Sequence, residues 1–216
     1  MPNVSRKTLR TGAVALAILV LGAIVGAVAW ASQGPSASAA SLRAPSPPLT
    51  VTATLITRLA GTLKPGTVVA ASHLGMRVFP NAQHGFALAD VGQGQYPATT
   101  VNGGATWKVA GPVLHVNAAQ APLVVQQVGA ASQKKLFAWG GPGGGQAVDV
   151  TPDAGKHWYR AFLGDIVMAV VSGPGGELVA FAQVAADNSG TTAANWVYVS
   201  KDGGRHWQYN TSAGAI

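Results

Sequence analysis

Three eight-residue stretches superimpose along this chain: TVNGGATW at Thr100–Trp107, TPDAGKHW at Thr151–Trp158 and SKDGGRHW at Ser200–Trp207. All obey Ser/Thr-x-Asp/Asn-x-Gly-x-x-Trp, and their first residues lie 51 and 49 positions apart. At average composition such a pattern arises by chance at about one start in ten thousand, so three copies at near-equal spacing mark an internal repeat. The residue types suit a tight turn between two strands. Asp or Asn accepts hydrogen bonds from backbone N–H groups two residues on, and a following Gly takes positive φ without steric cost. The Trp that opens the next strand then lays a large apolar face over the turn and against a neighbouring sheet. Thr100, Asn102, Gly104 and Trp107 carry the first copy, Thr151, Asp153, Gly155 and Trp158 the second, and Ser200, Asp202, Gly204 and Trp207 the third. His157 and His206 fall in register with Thr106, which points to a structural place for both rather than metal ligation.

The repeat extends upstream. Phe86 and Phe137 each precede their tryptophan by 21 residues; Val179 precedes Trp207 by 28, with an insertion around 185–194 accounting for the difference. Apolar runs at 76–79, 123–128 and 166–171 come earlier still, so each copy of about 50 residues offers four short strands. Composition agrees. With 28 glycines, 13 prolines and only 10% charged residues, the chain is unlike a helical bundle and fits an all-β fold of short strands and Gly-rich turns.

These residues resemble the Asp box, or bacterial neuraminidase repeat, of sialidases, sortilin-type receptors, some endoglucanases and photosystem II assembly-factor-like propellers. The resemblance spans Met76 to Tyr209 and is closest to the assembly-factor type, where a Gly-aromatic-Ala strand such as that at Gly85–Ala87 precedes each box. It implies a β-propeller and, beyond that, no particular chemistry, because these families differ in activity.

The N-terminal quarter reads differently. Residues 1–10 carry Arg6, Lys7 and Arg10, and no charge follows until Arg43. Residues 11–31 are long enough as a helix to cross the ~30 Å hydrocarbon layer, and the positive charges on their N-terminal side predict a cytoplasmic N-terminus. The competing expectation is a cleaved signal peptide, since 29–31 and 37–39 offer small residues at A-x-A spacing. Residues 32–49, rich in Ser, Ala and Pro, form a tether. The expected organisation is a single-pass cell-membrane protein with residues 50–216 outside. The net charge of +7 falls to +4 beyond residue 10 (11 basic minus 7 acidic). Those basic residues are dispersed, which argues against nucleic-acid binding. The absence of cysteine excludes disulfides, thiolate metal sites and a Cys nucleophile.

Topology sorts the candidate functional residues. In an up-down-up-down sheet the boxes share one end with the first turn of each repeat, and the remaining loops share the other. The resemblance implies that a sialidase-like site would occupy that other end and would need an arginine triad and a Tyr–Glu pair. Glu177, the sole glutamate, falls at the box end, and Arg160 is the single arginine candidate opposite. The same end brings Asp90, Gln95, Tyr96, Trp139, Asp187, Asn195 and Trp196 into reach of a ligand, with sheet packing the competing role for the aromatics. The expected function is a binding or assembly scaffold for a protein or glycan partner, without cofactor or metal; the alternative is a sialidase-like exo-glycoside hydrolase.

Three repeats fall short of the four to eight blades that close a propeller. Val51–Ser72 alternates enough to supply a degenerate fourth blade; failing that, two chains would pair their open arcs into a six-bladed homodimeric ring. Uncovered end sheets would expose Val78, Phe86 and Val101 on one side and Val170, Val179 and Val197 on the other.

Overall fold

The computed structural model describes residues 46–92, 94–116, 127–140, 147–185 and 192–210. Three strands lie before the repeats: β1 (Thr50–Thr52), β2 (Thr54–Leu55) and β3 (Val68–Val69). The first repeat contributes β4 (Leu74–Val78), β5 (Gly85–Val91), β6 (Gly94–Thr100) and β7 (Trp107–Val109), with β8 (His115–Val116) following. The second contributes β9 (Gln127–Ala130), β10 (Leu136–Trp139), β11 (Ala147–Thr151) and β12 (Tyr159–Phe162). The third contributes β13 (Ile166–Ser172), β14 (Leu178–Ala185), β15 (Thr192–Ser200) and β16 (His206–Tyr209). The fold is all-β, and each repeat is an antiparallel meander: β4 to β7 in sheet I, β9 to β12 in sheet II, β13 to β16 in sheet III. β8 adds a further strand to sheet I by pairing with β6. The apolar runs at 76–79 and 166–171 fall largely on β4 and β13; most of the run at 123–128 lies outside the described residues, as do 11–31, expected to be the membrane anchor. No helix among the described residues is long and apolar enough to cross a membrane.

The expected degenerate fourth blade does not form from Val51–Ser72. That segment is instead shared among the three sheets, adding a fifth strand to each beside its box-Trp strand. β1 pairs with β16 (Val51↔Trp207), β2 with β12 (Leu55↔Tyr159) and β3 with β7 (Val69↔Trp107). Further backbone bonds continue this edge, from Ala53 N to Arg205 O, Ile56 N to Trp158 O and Gly66 N to Val109 O, each 2.8 Å. The physical reason is the edge itself. β7, β12 and β16 would each present a row of unpaired N–H and C=O groups, and strands of two or three residues are too short to build a sheet of their own.

The sheets stack through a constant pattern of faces. In the second and third repeats the box Trp faces the preceding sheet, and in the first and second the face at the Phe86 register turns towards the following one. Between sheets I and II, Phe86, Leu88 and Leu114 meet Val128, Leu136, Ala138 and Trp158, with the Phe86 and Trp158 ring centroids 5.8 Å apart. Between sheets II and III, Phe137, Val148 and Val150 meet Val170, Leu178, Ala180, Tyr198 and Trp207. Among the described residues, sheet I has no preceding sheet. Its outer face (Ala87, Ala89, Tyr96, Ala98, Trp107, Val109) is closed by the segment between β2 and β3, which packs Leu63 against it and donates Leu63 N–H to the Tyr96 hydroxyl at 3.4 Å. The end faces are therefore exposed differently from the expectation. Phe86 and Val170 are buried between sheets and Val78 is half-buried, whereas Val101 lies exposed in the first box turn. Val179 and Val197 do lie on an open face, half-buried, on sheet III.

The three box turns share one hydrogen-bond scheme. The Ser/Thr hydroxyl bonds to the Asp/Asn side-chain oxygen (Thr100 to Asn102, 2.8 Å; Thr151 to Asp153, 3.0 Å; Ser200 to Asp202, 3.0 Å). That hydroxyl oxygen accepts the N–H of Gly104, Gly155 or Gly204 at 3.0, 2.8 and 2.8 Å. The Asp/Asn oxygen accepts the N–H of Thr106, His157 or His206 at 3.0, 2.9 and 3.0 Å, four residues on rather than the expected two, because the N–H two residues on from the Ser/Thr and the Gly N–H are taken by the hydroxyl in two of the turns. Ala154, which replaces the Gly of the other copies, keeps a φ of 62°, the one positive value of a non-glycine among the described residues. Its N–H bonds Lys134 O at 2.8 Å, so the turn imposes the conformation on an unsuitable residue. Gly155 beside it has φ +92°, and a Cβ there would sit 2.0 Å from Ala110 O of sheet I. We therefore expect Ala154→Gly to stabilise the protein by about 0.5–1 kcal/mol, and Gly155→Ala to destabilise it by about 2–4 kcal/mol through strain and overpacking. Chemical denaturation of the two variants checks both signs.

Candidate functional site

The end opposite the boxes carries a polar seam between sheets I and II. On β11, Asp149 is buried at 1% side-chain exposure, and its carboxylate is gripped by Arg160 of β12 through Nε–Oδ1 and Nη2–Oδ2 contacts of 2.7 Å each. Arg160 Nη2 also donates to the carbonyl of Leu114, which ties the pair to sheet I. Leu114 N–H in turn bonds Gln95 O at 2.8 Å, and the Gln95 side-chain amide donates to Asp90 Oδ1 at 2.9 Å. Burial works against the Arg160 charge, but hydrogen bonding and attraction to Asp149 outweigh it and raise its pKa further. A chain of polar groups thus runs from the exposed Asp90 inward to Asp149.

Of the residues expected to face a ligand, the structure brings Asp90, Gln95 and Arg160 to this seam and distributes the rest. Tyr96 points to the other side of sheet I, into the cluster beneath Leu63. Trp139 and Trp196 belong to the packing between sheets II and III. Trp139 stacks on Phe137 at 5.9 Å, and Trp196 meets Tyr198 edge-on at 6.3 Å. The aromatics therefore take the sheet-packing role. Asn195 is exposed on the far face of sheet III, and Asp187 lies outside the described residues. Arg160 is a strand residue locked into an ion pair rather than a loop arginine; its spacing places it two residues beyond Trp158, inside β12.

Sequence reasoning missed Asp149, although the repeat held the signal. Residues two before the box and two beyond its Trp are cross-strand partners in each copy: Ala98↔Val109, Asp149↔Arg160 and Tyr198↔Tyr209. One position is thus apolar, ionic and aromatic in turn. In sheet III the Tyr198 hydroxyl is buried without a partner; burial, aided by the neighbouring Tyr209, pushes its pKa up to about 12. Gln95 Oε1 is likewise buried and unpartnered among the described residues.

The box end is different. A shallow groove of about 300 Å³ is lined by Glu177, Val199, Lys201, Gln208, Tyr209 and Asn210, none of which sequence reasoning had assigned to a ligand. Nearby, His206 Nδ1 lies 2.5 Å from Asp202 Oδ2, as His157 Nδ1 lies 2.6 Å from Asp153 Oδ2 in sheet II. Both histidines serve their own turns. Among the described residues no three His, Cys, Asp or Glu side chains gather closely enough to hold a metal ion. Comparison of the chain with family models, curated proteins and solved structures finds no match.

Two expectations follow. Removing Asp149 alone leaves a half-buried guanidinium without its partner, so Asp149→Ala should cost about 2–3 kcal/mol. Transplanting the first repeat's pair, as Asp149→Ala with Arg160→Val, should recover most of that loss, measured by thermal or denaturant unfolding. The second concerns acid. Partial burial is the largest single influence on Asp153 and Asp202 and works against their charge. The side-chain and backbone hydrogen bonds from His157 and His206, those from Thr151 and Ser200, and the attraction of the imidazoles together exceed it and hold both carboxyls below the ordinary aspartate value. The unfolded chain therefore binds more protons than the folded one near pH 4. Stability from these turns is complete above the unfolded value and is lost as pH falls towards the folded one. The melting temperature should drop between about pH 5 and about pH 3, and the drop should shrink in the Asp153→Asn/Asp202→Asn double variant.

Proposed function

We propose that this chain is a membrane-anchored, extracytoplasmic Asp-box propeller-type scaffold that binds a protein or glycan partner. The observation carrying this reading is how the charged groups are used. Asp153 and Asp202 hold turns, Asp149 and Arg160 clamp two sheets, and Asp90 is engaged by Gln95. Hydrolysis of a glycosidic bond by paired carboxylates needs an acid and a base or nucleophile set about 5–9.5 Å apart across one site. Arg160, the arginine on which a sialidase-like reading would rest, is occupied by Asp149. The groove at the box end offers instead an amide pair, Gln208 and Asn210, an aromatic, Tyr209, and charges of both signs, Glu177 and Lys201. That mixture suits recognition of polar ligands.

The anchor is supported by the uncharged stretch of residues 11–31 and the basic residues before it. Because the chain has no cysteine, single substitutions report topology directly. In intact cells a membrane-impermeant maleimide should label Ser38→Cys, and should label Ser5→Cys only after permeabilisation. A soluble product lacking residues 1–31 would defeat the anchor. The purified chain should bind immobilised glycans or partner protein without turning over fluorogenic glycosides; turnover abolished by Asp90→Asn would instead establish the glycosidase.

A further inference from the structure

We propose that the face of sheet III left uncovered by the described residues is the surface through which two copies of this chain pair, sheet III against sheet III, about a twofold axis parallel to the strands. The proposal deepens the scaffold reading by naming a second copy of this chain as the protein partner at the groove lined by Glu177, Val199 and Lys201, and it rests on the membrane anchor only for the orientation of the two copies.

The repeat register identifies the face. Phe86↔Thr99, Phe137↔Val150 and Val179↔Val199 occupy one position in the three sheets. At the first two, the following sheet covers the side chains, leaving Phe86 0% and Phe137 3% exposed. At the third nothing among the described residues covers them. Val179, Val197 and Val199 are half-buried, and Val171 and Phe181 are 46% and 41% exposed beside them. A sheet face of this composition is built to receive another sheet at about 10 Å.

The remaining surfaces decide what it receives. Within the chain such a face is always covered by the Trp face of the next sheet, and the one Trp face without a preceding sheet, that of sheet I, is closed by Leu63 and its segment. End-to-end closure of two arcs into a ring therefore has no second surface to use. An isologous contact uses a single patch twice, and this patch is self-complementary. Glu177 precedes Leu178, Lys201 follows Ser200, and Leu178 pairs with Ser200, so the two charges flank the boundary between β14 and β15 at the box end and line the same groove. Neither makes an ion pair within the described residues. A twofold axis along that boundary sets Glu177 of each copy against Lys201 of the other. It also lays Val179 and Phe181 over Val199 and Val197 of the second copy. An axis parallel to the strands keeps both box ends pointing the same way, so two chains so paired send their N-terminal segments to one side, as a shared bilayer requires.

The test uses the full chain in detergent, with protein mass measured by light scattering. The expected mass is twice 21.8 kDa. Phe181→Asp should give a monomer that still unfolds cooperatively, with a melting temperature that no longer depends on protein concentration. Glu177→Lys and Lys201→Glu, which each create two like-charge contacts, should each raise the dissociation constant about tenfold or more, and the two together should restore it to within about threefold of the wild type. A monomeric wild type would overturn the proposal. So would a dimer indifferent to all three changes, which would place pairing in residues 11–31 or elsewhere. A monomer that dimerises only after removal of residues 211–216 would assign the face to the chain's own C-terminal residues and overturn it as well. Membrane fractionation of the same variants is independent of mass, so failure of the anchor reading is distinguishable from failure of the interface.

Discussion

Everything in this fold depends on a turn in which one hydroxyl and one carboxyl or amide oxygen satisfy backbone N–H groups that have no strand to bond. The turn fixes the third and fourth strands of each meander in register, and that register decides which way the following Trp faces. Trp158 shows the consequence, being fully buried against sheet I with its indole N–H on Ala110 O at 3.0 Å. Trp207 is equally buried against sheet II, its N–H turned back to Gly204 O at 3.1 Å. A local polar arrangement thereby sets the direction in which sheets accumulate.

Edges and faces are handled by different means. The edge beside each box Trp is closed by backbone hydrogen bonding to one borrowed strand, which requires extended chain and little else. A face has to be closed by volume. The segment between β2 and β3 does this for sheet I with a single large residue, Leu63, because Tyr96 and Trp107 already fill most of that surface. Sheet III turns its smaller aliphatic side to solvent, and no comparable segment precedes or follows it among the described residues. The two ends of the stack are therefore chemically unlike, although the repeats that built them are alike.

The seam between sheets I and II is the other departure from repetition. At a position that holds Ala98 with Val109 in one sheet and Tyr198 with Tyr209 in another, sheet II carries an ion pair with a buried carboxylate, and the arginine's third bond crosses to Leu114. A buried pair of this kind contributes little net stability compared with apolar packing, yet leaves either member costly to remove. Its directional bonds define the relative placement of the two sheets more sharply than the methyl groups around it.

Much of this was legible in the residues alone. The box spacing pointed to an all-β chain of four-stranded repeats, and the Ser/Thr, Asp/Asn and Gly positions of each box lie close enough in sequence for the turn bonds to be made within eight consecutive residues. What the sequence could not announce depended on partners distant along the chain. Val51–Ser72 alternates as any strand segment does, and only the three vacant edges at β16, β12 and β7 determined that it would be divided among them. Asp149 and Arg160 read as unrelated residues until the hairpin register set them opposite each other. Tyr96, Trp139 and Trp196 read as ligand-facing because alternation shows that a side chain lies on one face of a strand, whereas what covers that face is decided by the packing of sheets.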